Sequence, residues 1–467
     1  MAKNINKEVF ETMPVPKAVS AFVVPAMLST LITIIYSLAD TVFVGLTGDP
    51  NQIAAMSVAF PVYQFLNAFG NLFGLGTNSV MSRALGEQRY ERVSRTSATG
   101  FWSGVIFMAV VCVVLSVLMS PILHTVGATV NTYEYASQYL HWTFVIGGIP
   151  TVMSIIMCNL LRAEGQAKKA SFGLMMGGIL NCILDPIFIF ALKKAVVGAA
   201  IATMICNTIS LIYFLCVYFS KMRATSYICL NPFKYQLQGK LLGEILLVGL
   251  PSCVLTMLGA IGCFFQNSTL AKYSDVAVAA FGITTKVAFI GINSTHGVSQ
   301  GVLPLIGYNY GAKNYDRVRA VNRCAVKILM CIAIILLILC EAFPRIFIRI
   351  FINDAETVQV GMGMLRLYML CMPFMSYILM TSTLCQAVGK WQYSLAMLAF
   401  RQLVLNIPFM LLLDRFVWPM YGVPLGQPCC DVICLFIAIF VYRKVFVKAM
   451  RTPSAPVPAE EGENQAQ

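Results

Sequence analysis

A chain of 467 residues in which 58% are hydrophobic and only 11% are charged cannot hold its surface in water, because a soluble domain keeps roughly a quarter of its residues charged. The mean hydropathy of +0.76 agrees. Its charges are bunched between apolar runs long enough to cross a hydrocarbon core of ~30 Å, which takes ~20 helical residues, so the net charge of +13 reads as loop orientation and not as a nucleic-acid surface.

The first 17 residues are polar, and the apolar run behind them exceeds the ~7–15-residue core of a cleavable signal. It is therefore expected to remain as the first span. In chain order, spans are expected over 18–46, 52–82, 98–123, 136–161, 170–191 and 195–220, then 242–271, 276–309, 324–351, 358–388, 395–416 and 421–446. None alternates apolar and polar residues as barrel strands do. With the N-terminus inside, the inner segments collect most of the 33 basic residues, among them Arg83, Arg89, Arg92, Arg95 and Lys313, Arg317, Arg319, Arg323. That bias places both termini in the cytoplasm. The tail 452–467, rich in Pro, Ala and Glu, is expected to be disordered. The 16 cysteines are scattered through apolar segments and read as small buried hydrophobes, not as metal or disulfide partners.

The two halves repeat at an offset of about 225 residues. Pro25 pairs with Pro251, Gly165 with Gly389, and Gly198 with Gly422, while Gly86 to Val93 matches Gly311 to Val318. An even number of spans per half gives both the same orientation, so the expected fold is an all-α membrane protein of twelve transmembrane helices in two six-helix lobes related by a pseudo-two-fold repeat. The lobes are expected over 1–225 and 226–451, with a substrate cavity between or within them.

An ionisable group in hydrocarbon costs at least ~2.5–3.5 kcal/mol on insertion scales and calls for a partner, a cavity or a function. Asp40 follows Tyr36 in the first span, and Asp185 lies in the fifth, four residues after Asn181 and on the same helix face. Thr203 and Asn207 are likewise four apart in the sixth, a segment rich in small residues. Two carboxylates among amide and hydroxyl oxygens can hold a hard cation such as Na⁺, or equally a proton, because a dry surrounding and a second carboxylate both disfavour the charged form. The plainer reading makes Asp40 an interface residue ending its helix and Asp185 an N-cap before Pro186. Pro25 removes a backbone bond within the first span and favours a bend there. In the second half, Gln266 stands where the repeat would place Asp40, and Lys286 and Arg401 are cations inside apolar runs. Asp431 can pair with one of them, as a structural ion pair between the lobes or as part of a substrate contact. No phosphate-binding loop and no histidine-based metal motif occurs in the sequence, so no cofactor is expected beyond a coupling ion.

These segments resemble the multidrug and toxin extrusion (MATE) family, within the larger group that includes lipid-linked oligosaccharide flippases. The likeness is carried by 25–36 with Asp40-Thr41-Val42-Phe43-Val44-Gly45, by Arg162-Ala163-Glu164-Gly165, and by 181–186. Gly198-Ala199-Ala200-Ile201-Ala202-Thr203 and Gly307-Tyr308-Asn309-Tyr310-Gly311-Ala312-Lys313 add to it. The second half looks most like the bacterial branch of DNA-damage-inducible and staphylococcal efflux proteins. The resemblance implies two lobes around a V-shaped cavity and efflux of cationic or amphipathic drugs, driven by H⁺ or Na⁺. It implies an N-lobe cation site at Asp40, Asn181, Asp185 and Thr203, with Tyr36 supporting Asp40 and Pro25 as the bending point. Asn207, Gln266, Lys286 and Arg401 are further candidates for the cavity. One branch of the family carries an acid in the seventh span, where Gln266 and Asn267 stand here. A monomeric, multi-pass protein of the bacterial inner membrane follows, in contact with lipid and with no nucleic-acid partner. The alternatives are a lipid or lipid-linked sugar flippase, which would want more basic residues in its spans, and a membrane-embedded enzyme or receptor, for which no catalytic constellation is present.

Overall fold

Backbone amides in hydrocarbon must bond within their own segment, and an apolar run satisfies that by becoming helix. The computed structural model describes residues 7–47, 49–192, 194–222, 226–234 and 239–447, so the tail 452–467 lies outside the described residues. The first half contains α1 (Val15–Gly45), α2 (Pro50–Gly86), α3 (Tyr90–Val126), α4 (Val130–Ile146 and Gly148–Ala163), α5 (Ala167–Ala191) and α6 (Ala195–Ser220). The second contains α7 (Gly239–Leu270), α8 (Asp275–Gly311), α9 (Tyr315–Ala342), α10 (Ala355–Met369 and Met372–Ala387), α11 (Trp391–Phe416) and α12 (Gly422–Tyr442). Eight of these are long and apolar enough to cross a membrane as single helices, and α4 and α10 reach that length as bent pairs. With α2 and α12 packed among them, the described residues form the twelve expected spans of an all-α membrane fold.

Polar residues set several of the starts. Asp49 accepts from the Asn51 N–H (2.9 Å), Ser274 from Ala277 (3.1 Å), Asn314 from Arg317 (3.1 Å) and Asp354 from Thr357 (2.8 Å), each satisfying a donor that the first turn leaves open. Three spans depart from expectation. α4 bends by 48° and α10 by 42°, and in each case a proline, Pro150 or Pro373, opens the second segment, where its missing N–H does no harm. The ninth span does not run over 324–351. It starts at Tyr315 behind the Asn314 cap and ends at Phe343, and Pro344 begins a separate short helix, Pro344–Arg349. Pro25 lies inside α1 without interrupting it.

The repeat is written into the backbone. Positive φ angles recur at Gln88 and Lys313 (60° and 58°), at Gly165 and Gly389 (84° and 78°), and at Ala195 and Met420 (43° and 67°). Left-handed backbone at non-glycine residues is uncommon, so matching pairs at one spacing mark a duplicated structure.

α2 lies along both α7 and α8, and α1 lies along α8. Glycine permits this approach. A Cβ on Gly249 would stand 1.8 Å from the Leu72 carbonyl oxygen, and one on Gly86 would stand 1.9 Å from that of Tyr308. Polar contacts between the halves gather at the same end. Glu244 accepts from Arg83 (3.1 Å) and Arg92 (2.6 Å), the Ser79 hydroxyl donates to the Gln386 carbonyl (2.6 Å), and the Tyr308 hydroxyl donates to Glu11 (2.6 Å). Phe10 is fully buried and stacks on Tyr308 at 4.4 Å. Toward the opposite end Gly259 and Gly282 face open space, with no atom within 4 Å of an added Cβ. The polar contacts between the halves thus lie beside the basic loops.

The segment joining the halves is strapped to the first. Glu164 accepts from the Ser226 hydroxyl (2.6 Å) and from the N–H groups of Tyr227 (2.7 Å) and Ile228 (3.0 Å), while Trp102 Nε1 donates to the Leu230 carbonyl at 3.0 Å. Replacing Gly249 by Val is expected to destabilise the closed end by about 1–3 kcal/mol through overpacking, seen as a lower Tm in detergent, whereas Gly259→Val, facing open space, leaves Tm unchanged.

Candidate functional site

Small residues on α5 bring three helices of the first half together. An added Cβ would meet Phe214 Cε1 at 2.4 Å from Gly173, Ser210 Oγ at 2.3 Å from Gly177, and Ile32 Cγ2 at 2.7 Å from Gly178. α1 and α6 therefore sit against the α5 backbone. Between them lies a cavity of about 50 Å³ bordered by Thr33, Tyr36, Gly177, Asn181, Thr203 and Asn207, among others. That is room for a small cation with water, and too little for a drug molecule.

Asp40 and Asp185 stand one helical turn beyond Tyr36 and Asn181 on α1 and α5, on the side away from the basic loops. Asp40 is 6% exposed and Asp185 0%. The Asn181 amide nitrogen donates to Asp185 Oδ1 and to Thr203 Oγ1, both at 3.3 Å. Asp40 Oδ1, Asp185 Oδ2 and Asn181 Oδ1 are buried without a hydrogen-bond partner. Among the described residues no arginine or lysine forms an ion pair with either carboxylate. Buried carboxylates left this way are untenable as bare anions, since the desolvation penalty is several kcal/mol per ion. An external monovalent cation or a proton is what the oxygens can accept. Of the expected set, Asn181, Asp185 and Thr203 are joined by these hydrogen bonds across α5 and α6, and Asp40 is buried on the adjoining α1.

Sequence reasoning missed the aromatic side of this site. Tyr63 on α2 lies near Tyr36 and Asn207. The Asn207 amide donates to Thr151 Oγ1 at 2.9 Å. Tyr139, buried on α4, faces Asp40 closely enough to feel its charge. Among 19 tyrosines nothing in the sequence singles out Tyr63 or Tyr139. Only packing of α2 and α4 against α6 does.

The second-half candidates do not join the site. Gln266 is buried on α7, and Pro25 lies lower on α1. Lys286 is exposed on α8, contrary to its expected burial. It lies on the helix face that, lower down, meets α1 through Gly297 and Gly301. Arg401 is buried, and its partner is Asp431, at 2.6 Å from Nε and 3.0 Å from Nη2. Both belong to the second half, on α11 and α12, so this is not an ion pair between lobes.

Replacing Asn181 by Leu removes the donor shared by Asp185 and Thr203 and leaves two buried acceptors unmet. A loss of about 1–3 kcal/mol is expected, read as a fall in Tm. The Asn181→Asp variant, which keeps oxygens but adds a third carboxylate, should instead make Tm depend strongly on added cation.

The MatE family profile matches residues 25–187 and 251–412, one stretch in each half. The chain is 28% identical over 434 residues to the multidrug export protein MepA of Staphylococcus saprophyticus, covering 92% of this chain and 94% of that protein. It is 27% identical to MepA of Staphylococcus haemolyticus over 432 residues, with the same coverage. Among solved structures, a MATE protein in its straight conformation superposes with a TM-score of 0.89 at 23% identity, over 97% of this chain and 100% of that one. An outward-facing multidrug resistance transporter of the MOP superfamily gives 0.87 at 24%, over 97% and 99%.

Proposed function

The chain belongs to the MatE family, and on that premise we propose that it is a secondary active multidrug exporter of a bacterial inner membrane, driven by H⁺ or Na⁺. It is a transporter and not an enzyme. The observation that carries the reading is a pair of buried carboxylates, Asp40 and Asp185, with unpartnered oxygens and no internal cation, beside a cavity of about 50 Å³. Relatives named as multidrug export proteins, similar over 92% of the chain, support drugs as substrates, and we take these to be amphipathic and cationic organic compounds. We assign the lobes to 1–225 and 226–451, place both termini in the cytoplasm, and take the working unit as a monomer.

The cycle follows from reciprocal linkage, in which ion and drug weaken each other's binding. A drug enters the cleft from the cytoplasmic side while the carboxylates are ion-free. The lobes rock outward about the contacts of α2 with α7 and α8. A cation or proton from outside then reaches Asp40 and Asp185, discharges the site, and lowers its affinity for the drug, which leaves. Return with the ion releases it inside. The ion pairs of Glu244 with Arg83 and Arg92 beside the basic loops support reading this form as the outward-facing stage of the scheme.

Asp40→Asn and Asp185→Asn should each insert normally and lower gradient-driven efflux by on the order of tenfold or more, the factor that ~1.4 kcal/mol commands. Ethidium efflux from proteoliposomes, with H⁺ and Na⁺ gradients imposed separately, measures this and names the ion. Full transport by both variants would sink the carboxylate site.

A further inference from the structure

The Arg401–Asp431 pair has no part in the cycle above, yet it is the best-made ion pair among the described residues. Arg401 Nε donates to Asp431 Oδ1 at 2.6 Å and Nη2 to Oδ2 at 3.0 Å, while Gln427 Nε2 donates to Oδ1 at 3.2 Å. Arg401 is 5% exposed and Asp431 0%. A buried pair of this kind is weak evidence of stabilisation, because two well-packed apolar residues often do as well. Its location is more telling than its strength.

The repeat fixes that location. Gly165 and Gly389 share a left-handed φ before α5 and α11. Gly198 packs on the end of α5 at Phe188, and Gly422 packs on α11 at Leu413 and Asp414. The spacing that carries Gly165 to Gly389 and Gly198 to Gly422 also carries Gly177 to Arg401, Thr203 to Gln427, and Asn207 to Asp431. All three first-half residues border the cavity. Where the first half has a glycine and a hollow, the second half has a guanidinium, and the anion it meets stands in the place of Asn207. The counterpart of Asp40 is the neutral Gln266. At the level of the cavity the first half thus holds Asp40 and Asp185 with no cation, and the second holds Asp431 paired with Arg401.

We propose that Arg401 is a tethered counter-cation, held where the first half takes up its exchangeable ion, so that the second half is permanently charge-compensated and coupling runs through the first half alone. Removing the guanidinium would uncover a latent cation site whose anion is Asp431. Arg401 acts as a positioning residue, touching neither drug nor ion. The proposal rests on reading the first-half cavity as the ion site.

Chemical rescue tests it. Full-length Arg401→Ala is purified in detergent and reconstituted, and Tm and dye efflux are followed with millimolar guanidinium chloride, with sodium chloride, and with urea as a neutral molecule of the same shape. The expected result is a lowered Tm and loss of most efflux, both restored by guanidinium and not by urea. Wild type and the Arg401→Ala/Asp431→Asn double variant should not respond, and the double variant should keep its efflux. Recovery with urea, recovery of the double variant by guanidinium, or an Arg401→Ala protein indistinguishable from wild type would each overturn the proposal. Where Arg401→Ala cannot be purified, the double variant decides: a folded, active double variant identifies the uncompensated carboxylate as the lesion, and failure of both refutes it. Asp40→Asn in the same vesicles keeps the two ideas apart. Lost coupling there, with no guanidinium rescue of Arg401→Ala, removes only the tethered cation. Retained coupling removes the first-half ion site.

Discussion

A carboxylate out of reach of water must meet a positive charge, a proton or a metal, and much of this molecule is arranged around how that demand is answered. In the first half, glycines at 173, 177 and 178 press α1 and α6 onto α5, and Asp40 and Asp185 are buried in that packing. The amide of Asn181 meets only part of the need, leaving one oxygen on each acid unpartnered. Asp431 in the second half is met in full by Arg401 and Gln427. One fold, duplicated, therefore carries one half whose buried acids lack full partners and one whose buried acid is satisfied.

The same economy of small residues governs the seam between the halves. Contacts at Gly249 and Gly86 bring backbone against backbone, and such surfaces slide or part as rigid bodies more readily than interdigitated side chains. The strap from Glu164 to Ser226, Tyr227 and Ile228 fixes the connecting segment to the first half. The chain between the halves therefore travels with one of them and does not act as a loose tether across the cleft.

Much of this was legible in the sequence because hydrocarbon leaves so few choices. Apolar run length gave the spans, and paired landmarks such as Gly165 and Gly389 gave the duplication that the φ angles later matched. Asn181 with Asp185 and Thr203 could be grouped because helical spacing puts the first two on one face and polar residues in spans are scarce. What escaped was whatever depends on the angle between helices. Tyr63 and Tyr139 reach the site only through the packing of α2 and α4. Lys286, placed inside an apolar run by the sequence, is exposed on its helix. The break at Phe343 was obscured by apolar residues continuing past Pro344.

The seal beside the basic loops sets a limit of its own. One monovalent charge crossing 100 mV of membrane potential releases only about 2.3 kcal/mol, and a seal that opens in every cycle has little more than this to draw on. Its makeup suits that ceiling. The Glu244 carboxylate is 32% exposed, and ion pairs so close to water contribute about 0–1 kcal/mol. A deeply buried pair such as Arg401–Asp431 at the same place would leave buried charges uncompensated each time it parted, at several kcal/mol per ion. On the proposed cycle, turnover is therefore bounded as much by how weakly the end beside the basic loops is closed as by how tightly the site binds.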